Sequence, residues 1–126
     1  MKLHHIGVAC RNIDEEIGNI SKIHKITAQS LTIFDKEQNA DVVLLTLADG
    51  TKIELVTGRQ VEGLLKKNIT YYHLCYEVND IHAETDRLVA DGAFLISAPK
   101  PAALFNNREV AFLHVSYGII ELLNSR

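Results

Sequence analysis

Two stretches of this chain repeat one another at a nearly constant offset, and each copy carries one histidine and one glutamate. His5 and Glu54 lie 49 positions apart, His73 and Glu121 48. Advancing Leu3-His4-His5-Ile6-Gly7-Val8 by 68 positions lays it on Tyr71-Tyr72-His73-Leu74-Cys75-Tyr76. The same offset carries Asn12-Ile13 onto Asp80-Ile81 and Val42-Val43-Leu44-Leu45 onto Val110-Ala111-Phe112-Leu113. Thr51-Lys52-Ile53-Glu54-Leu55-Val56 then matches Gly118-Ile119-Ile120-Glu121-Leu122-Leu123 at an offset of 67, which places a one-residue difference in the last hairpin. Repetition of this kind restricts the fold to two equivalent supersecondary units, here a fused pair and not an extended array.

The elements follow from periodicity. Residues 2–10 read as a strand, and Asn12-Ile13-Asp14-Glu15 as a helix start with an acid at the third helical position. Ile13, Ile17, Ile20 and Ile23 form an apolar stripe that predicts a helix to about His24. Strands are expected near 26–35, 40–48 and 51–57, the last two joined by Ala48-Asp49-Gly50. Residues 58–69 read as a short helical connector. The second copy gives a strand at 70–78, then a helix capped by Asp80, with Ile81, Thr85, Leu88 and Val89 inward and a stop at Asp91-Gly92. Strands near 93–98, 108–115 and 118–124 complete it. The expectation is an α+β single domain over residues 1–126, built from a βαβββ module at 1–59, a connector at 60–69 and a second module at 70–126. Its curved, half-barrel mixed sheet would surround a cleft, with helices outside.

Composition excludes several classes of function. With 126 residues, 47% of them hydrophobic, the chain can bury roughly two-thirds of its unfolded surface in one core. Its 13 basic and 16 acidic residues are mixed along the length, leaving net charge −3 and no basic stripe for phosphate backbones, so no nucleic-acid partner is expected. No apolar run approaches the ~18 residues of a membrane span, and Met1 runs straight into a strand pattern. The expected setting is cytoplasmic, without a membrane partner. Cys10 and Cys75 lack CxxC spacing and read as free buried thiols.

Strand parity then decides where the repeated polar residues point. His5, Gly7 and Ala9 share one face of the first strand, and His73 and Cys75 one face of its counterpart, while the opposite faces carry Ile6, Val8, Leu74 and Tyr76. Glu54 and Glu121 likewise oppose apolar neighbours. Buried carboxylates are costly unless paired, hydrogen-bonded or bound to a cation. Two imidazoles and two carboxylates suit a divalent ion such as Zn, Ni, Co, Mn or Fe, and four protein ligands on an octahedral ion leave two positions for a chelating substrate. His5, Glu54, His73 and Glu121 are therefore the expected metal ligands. His4 points away, His24 and His82 belong to helices with solvated or capping roles, and His114 could reach the cleft. Lys100 and Arg108 read first as solvated loop charges, with an anion at the cleft mouth as the alternative.

These residues carry a resemblance. The paired modules, with LHHIGVA and YYHLCYEVNDI each supplying a His and KIELV and GIIELL each supplying a Glu, resemble the vicinal oxygen chelate superfamily of glyoxalase I, bleomycin-resistance proteins and extradiol dioxygenases. Val61–Asn68 and Val110–His114 are similar to the methylmalonyl-CoA epimerase branch. Two departures are visible. Ser21-Lys22-Ile23-His24 replaces the aromatic pair and Leu-Gly common at the end of the first helix, and the second acid proposed as a base in bacterial epimerases falls on Val42, with Asp41 adjacent but facing the other way.

The resemblance implies a metal-dependent isomerase or epimerase that removes a proton next to a chelated carbonyl, with Glu121 as the first candidate base and Glu54 as its symmetry partner. An acyl-CoA thioester or a glutathione hemithioacetal would be the substrate and a homodimer the assembly. The alternatives are a glyoxalase I-type lactoylglutathione lyase and a nonenzymatic small-molecule-binding resistance module. The family's binders commonly lack the metal residues that are complete here. A dioxygenase fits less well, since Glu54 would occupy a position needed by catechol and oxygen.

Overall fold

The computed structural model describes all 126 residues, in nine strands and three α-helices. They group into two compact units, one of His5–Tyr72 and the other of His73–Arg126 with Met1–His4.

β1 (Lys2–Ala9), whose residues His5–Ala9 belong to the first unit, leads into α1 (Ile13–Ser21). Asn12 starts that helix as expected, its Oδ1 accepting the Glu15 N–H at 2.8 Å. The helix stops three residues early because the N–H groups of Lys22 and Ile23 turn back to the carbonyls of Asn19 and Ile20, closing a tighter last turn. Ile23 is thereby rotated out and 76% exposed, so the inward stripe ends at Ile20. The segment expected as one strand at 26–35 is two, β2 (Ile26–Gln29) and β3 (Ile33–Asp35), both paired with β4 (Ala40–Leu47). Ser30 breaks it: the Leu44 N–H donates to the Ser30 hydroxyl instead of to a ladder carbonyl. β4 runs antiparallel to β5 (Lys52–Gly58), which lies parallel to β1, giving the order β2-β4-β5-β1. A 3-10 turn (Arg59–Val61) and α2 (Glu62–Lys66) form the helical connector. Gly58 is confined by φ 154° and by Asn39 O, which would stand 2.8 Å from an added Cβ.

The second unit repeats the plan with β6 (Tyr71–Val78), α3 (Ile81–Ala90), β7 (Phe94–Ala102), β8 (Arg108–Val115) and β9 (Gly118–Asn124) in the order β6-β9-β8-β7. Asp80 caps α3 through the Ala83 N–H, and Gly92 at φ 106° ends it. Ile81 and Thr85 are buried as expected and Leu88 packs against the core, but Val89 is 43% exposed. β7 runs four residues beyond its expected end. As an edge strand with two register shifts it accommodates Pro99 and Pro101, whose missing N–H groups a central ladder could not spare.

Each unit has its own apolar core on the helix side of its sheet. Val43, Leu45, Leu47 and Leu55 meet Ile13 and Ile20 in the first; Ala111, Leu113, Ile120 and Leu122 meet Ile81 in the second. Both cysteines are buried and outside any disulfide. No helix is long and apolar enough to cross a membrane.

Candidate functional site

In the first unit the β1–β5 register sets Gly7 beside Glu54, and the β4–β5 register sets Leu44 across from it. Because Ile53 and Leu55 point into the helix-side core, Glu54 must project from the other face, where His5 lies two residues before Gly7. His5 Nε2 and Glu54 Oε1 stand 3.8 Å apart, with both side chains essentially buried. The second unit has the same construction. Cys75 lies beside Glu121, Phe112 lies across from it, and His73 precedes Cys75 by two. His73 Nε2 is 3.1 Å from Glu121 Oε1, again fully enclosed. Each predicted His thus meets its predicted Glu, through equivalent registers.

Each pair offers one imidazole nitrogen and one carboxylate oxygen, a donor set for borderline-to-hard divalent ions. Metal–ligand bonds of ~2.0–2.2 Å place neighbouring ligand atoms roughly 2.8–3.6 Å apart, depending on geometry. The second pair sits within that spacing and the first is slightly wider. The donor chemistry and spacing of the two pairs therefore fit cation binding, and a bound cation would remove the cost of enclosing the carboxylates.

The other polar candidates have separate places. His114 shares the face of Glu121 but lies nearer the hairpin and is exposed, lining a surface cavity of about 530 Å³ with Phe94 and Leu88. Arg108 is not a solvated loop charge. It sits on β8, its guanidinium paired with the Glu77 carboxylate and its Nε donating to Asn124 O at 2.7 Å. Lys100 is exposed on β7. His4 packs edge-on against Phe105, ring centroids 5.5 Å apart. His24 is exposed just after α1, and His82 faces Glu109 from the surface of α3. Val42 is fully buried, while Asp41 is exposed.

One neighbour of the His73–Glu121 couple was not singled out from the sequence. The ring of Phe112 meets the His73 imidazole in a T-shaped contact, centroids 5.5 Å apart and planes at 90°. Its signal was the repeat itself, which aligns Phe112 with Leu44 one strand away from each glutamate.

Residues 4–112 match the model of the glyoxalase/bleomycin resistance protein/dioxygenase superfamily. The ethylmalonyl-CoA/methylmalonyl-CoA epimerase of Cereibacter sphaeroides is 29% identical over 119 residues, 90% of this chain and 87% of that protein. The mitochondrial methylmalonyl-CoA epimerase of Dictyostelium discoideum is 30% identical over 119 residues, 90% of this chain and 70% of that one. The crystal structure of the methylmalonyl-CoA epimerase from Mycobacterium tuberculosis superposes with a TM-score of 0.78 at 20% identity, covering 99% of this chain and 88% of that chain, which establishes a common fold. With most of its length matched by the family model, this chain belongs to the glyoxalase/bleomycin resistance protein/dioxygenase superfamily.

Proposed function

We propose that the protein is a methylmalonyl-CoA epimerase-like enzyme in which His5, Glu54, His73 and Glu121 hold one divalent cation, one of Zn, Ni, Co or Mn. The observation that carries this reading is the pair of buried His–Glu couples built by identical strand registers. Two relatives named as epimerases, each aligned over 90% of the chain, support the substrate class.

When bound, the cation would supply Lewis-acid stabilisation of negative charge on the thioester oxygen. The proton chemistry belongs to the protein. Glu121 accepts the proton from the carbon between the carboxylate and the thioester carbonyl, and the electron pair of the broken C–H bond moves toward the carbonyl as an enolate. Return of a proton to the opposite face inverts the centre, with Glu54 in its protonated form the donor for that step, so that the two glutamates exchange protonation states over one turnover. The buried positions of both glutamates keep bulk water from competing. A homodimer forms part of this reading and is checked by light scattering.

Solvent deuterium exchange at the substrate's α-carbon is the test. Methylmalonyl-CoA should exchange in D2O with metal-loaded protein, and the methylglyoxal–glutathione hemithioacetal is the comparison. Exchange only on the hemithioacetal would make the protein a glyoxalase-type lyase. Inertness toward both, with metal bound, would favour a binding module.

A further inference from the structure

The connector between the modules concentrates positive charge. Arg59, Lys66 and Lys67 stand there against a single acid, Glu62, in a chain whose net charge is −3. Beside it lies a surface cavity of about 340 Å³, lined by Arg11 just after β1, by Thr57 and Gly58 at the end of β5, and by Glu62 and Lys66 of α2. All of these residues belong to the first unit. Arg11 is tied down at both ends: its Nη2 donates to the Leu65 carbonyl at 3.2 Å, and its own carbonyl accepts the Thr57 hydroxyl at 3.3 Å. The rest of the planar guanidinium fork is left to meet the oxygens of a phosphate. Lys66 adds an ammonium on a flexible stem. Two cations against one carboxylate leave the cavity net positive.

The proton chemistry makes no use of this cavity, yet an acyl-CoA brings phosphate groups that need a partner. Arg108 is committed to Glu77 and to Asn124 O. Glu54, Val56 and Gly58 alternate onto one face of β5, and a rise of ~3.3 Å per residue puts Gly58 roughly 13 Å from Glu54. An anion held there lies far from the carboxylate, at the distal end of an extended pantetheine arm.

We infer that the Arg11–Lys66 cavity is a phosphate subsite, which receives the phosphate groups of the CoA thioester while its acyl end reaches Glu54. The identity of the ligand rests on the epimerase reading; the anion site itself stands on the cavity and its two cations.

Titration calorimetry on the full chain, freed of metal by chelation, is the test, since phosphate contacts do not need the cation. The probes are CoA, pantetheine, which has the arm but no phosphate, and inorganic pyrophosphate. CoA should bind at least about tenfold tighter than pantetheine, and pyrophosphate should compete with it. The double variant Arg11→Ala with Lys66→Ala should weaken CoA about tenfold, and Lys66→Ala alone about threefold. Glu62→Gln should tighten CoA about twofold, because it removes the one negative charge of the cavity. Lys25→Ala, which removes an exposed cation elsewhere in the unit, should change nothing. With metal bound, the double variant should raise KM for a CoA substrate while kcat stays within about twofold.

CoA affinity unchanged by the double variant, an equal loss in Lys25→Ala, or weaker binding by Glu62→Gln would each overturn the assignment. Pyrophosphate bound through Arg11 and Lys66 but not displaced by CoA would also overturn it, placing a different anion in the cavity. If Arg11→Ala does not fold without its tie to Leu65, Lys66→Ala and Glu62→Gln still decide. CoA bound through these residues by a metal-loaded protein that exchanges no α-proton would uphold the subsite and sink the epimerase reading instead.

Discussion

Arg108 is held at the end of β8 by Glu77 on β6, and it also donates to a carbonyl of the strand between them, Asn124 on β9. One guanidinium therefore ties three strands of the second unit. The pair is partly exposed, so its ionic part is worth little, and the charged hydrogen bond to the carbonyl is the larger share. Arg108→Ala should cost about 1–2 kcal/mol in urea unfolding while leaving KM within about twofold. A large rise in KM at unchanged stability would restore Arg108 to an anion-binding role.

Burial against α1, and secondarily the charge of Glu16, pushes the Cys10 thiol from 9.0 up to about 11. The native state thus keeps a proton that the unfolded chain releases, so this group's contribution to stability is complete below about pH 9 and lost as pH rises toward 11. The urea midpoint of wild type should fall more steeply between pH 8.5 and about 10.5 than that of Cys10→Ala. Parallel curves would refute the shift.

Two isoleucines of one apparent stripe should behave differently. Ile20→Ala removes a side chain from the first core and should cost about 2–4 kcal/mol. Ile23→Ser should stay within about 0.5 kcal/mol, because the residue is already in water. Equal losses would mean that α1 continues past Ser21.

Purified protein should contain close to one divalent ion per chain, and His73→Ala far less. Stripping the ion should lower Tm by several degrees, since free metal at 100 times Kd contributes about 2.7 kcal/mol. The apo protein should remain folded on its two apolar cores. Undiminished metal in His73→Ala would exclude this residue as a ligand.

Glu121→Gln separates binding from proton transfer, because an amide oxygen can coordinate a cation but cannot accept a proton at neutral pH. Metal content should largely persist while α-proton exchange falls by roughly 10²–10⁴. Exchange at the wild-type rate would move the base elsewhere.

Much of the architecture was legible because the chain states it twice. Repeated apolar faces located the strands, and Asn12 and Asp80 located the helix starts. Parity put each His on the same side as its Glu. What periodicity could not register were hydrogen bonds made by individual groups: the Ser30 hydroxyl that splits one strand into two, and the early closing turn after Ser21 that strands Ile23 in solvent. Periodicity placed the end of β7 near residue 98, whereas the strand continues through Pro99 and Pro101, whose tolerance depends on edge position, a property of the assembled sheet. Arg108 looked like a loop charge for a similar reason, since Glu77 is 31 residues away in sequence.

The two modules differ by one residue in the connection before the glutamate strand: five residues separate Thr46 from Lys52, four separate His114 from Ile119. That location has an evolutionary meaning. Within a strand, one added or lost residue would turn every later side chain to the opposite face and send the carboxylate into the helix-side core. At a hairpin tip the same event changes only how tightly the chain reverses. Length variation among sequences of this type should therefore collect at the strand reversals, while the number of residues from each reversal to its glutamate stays fixed.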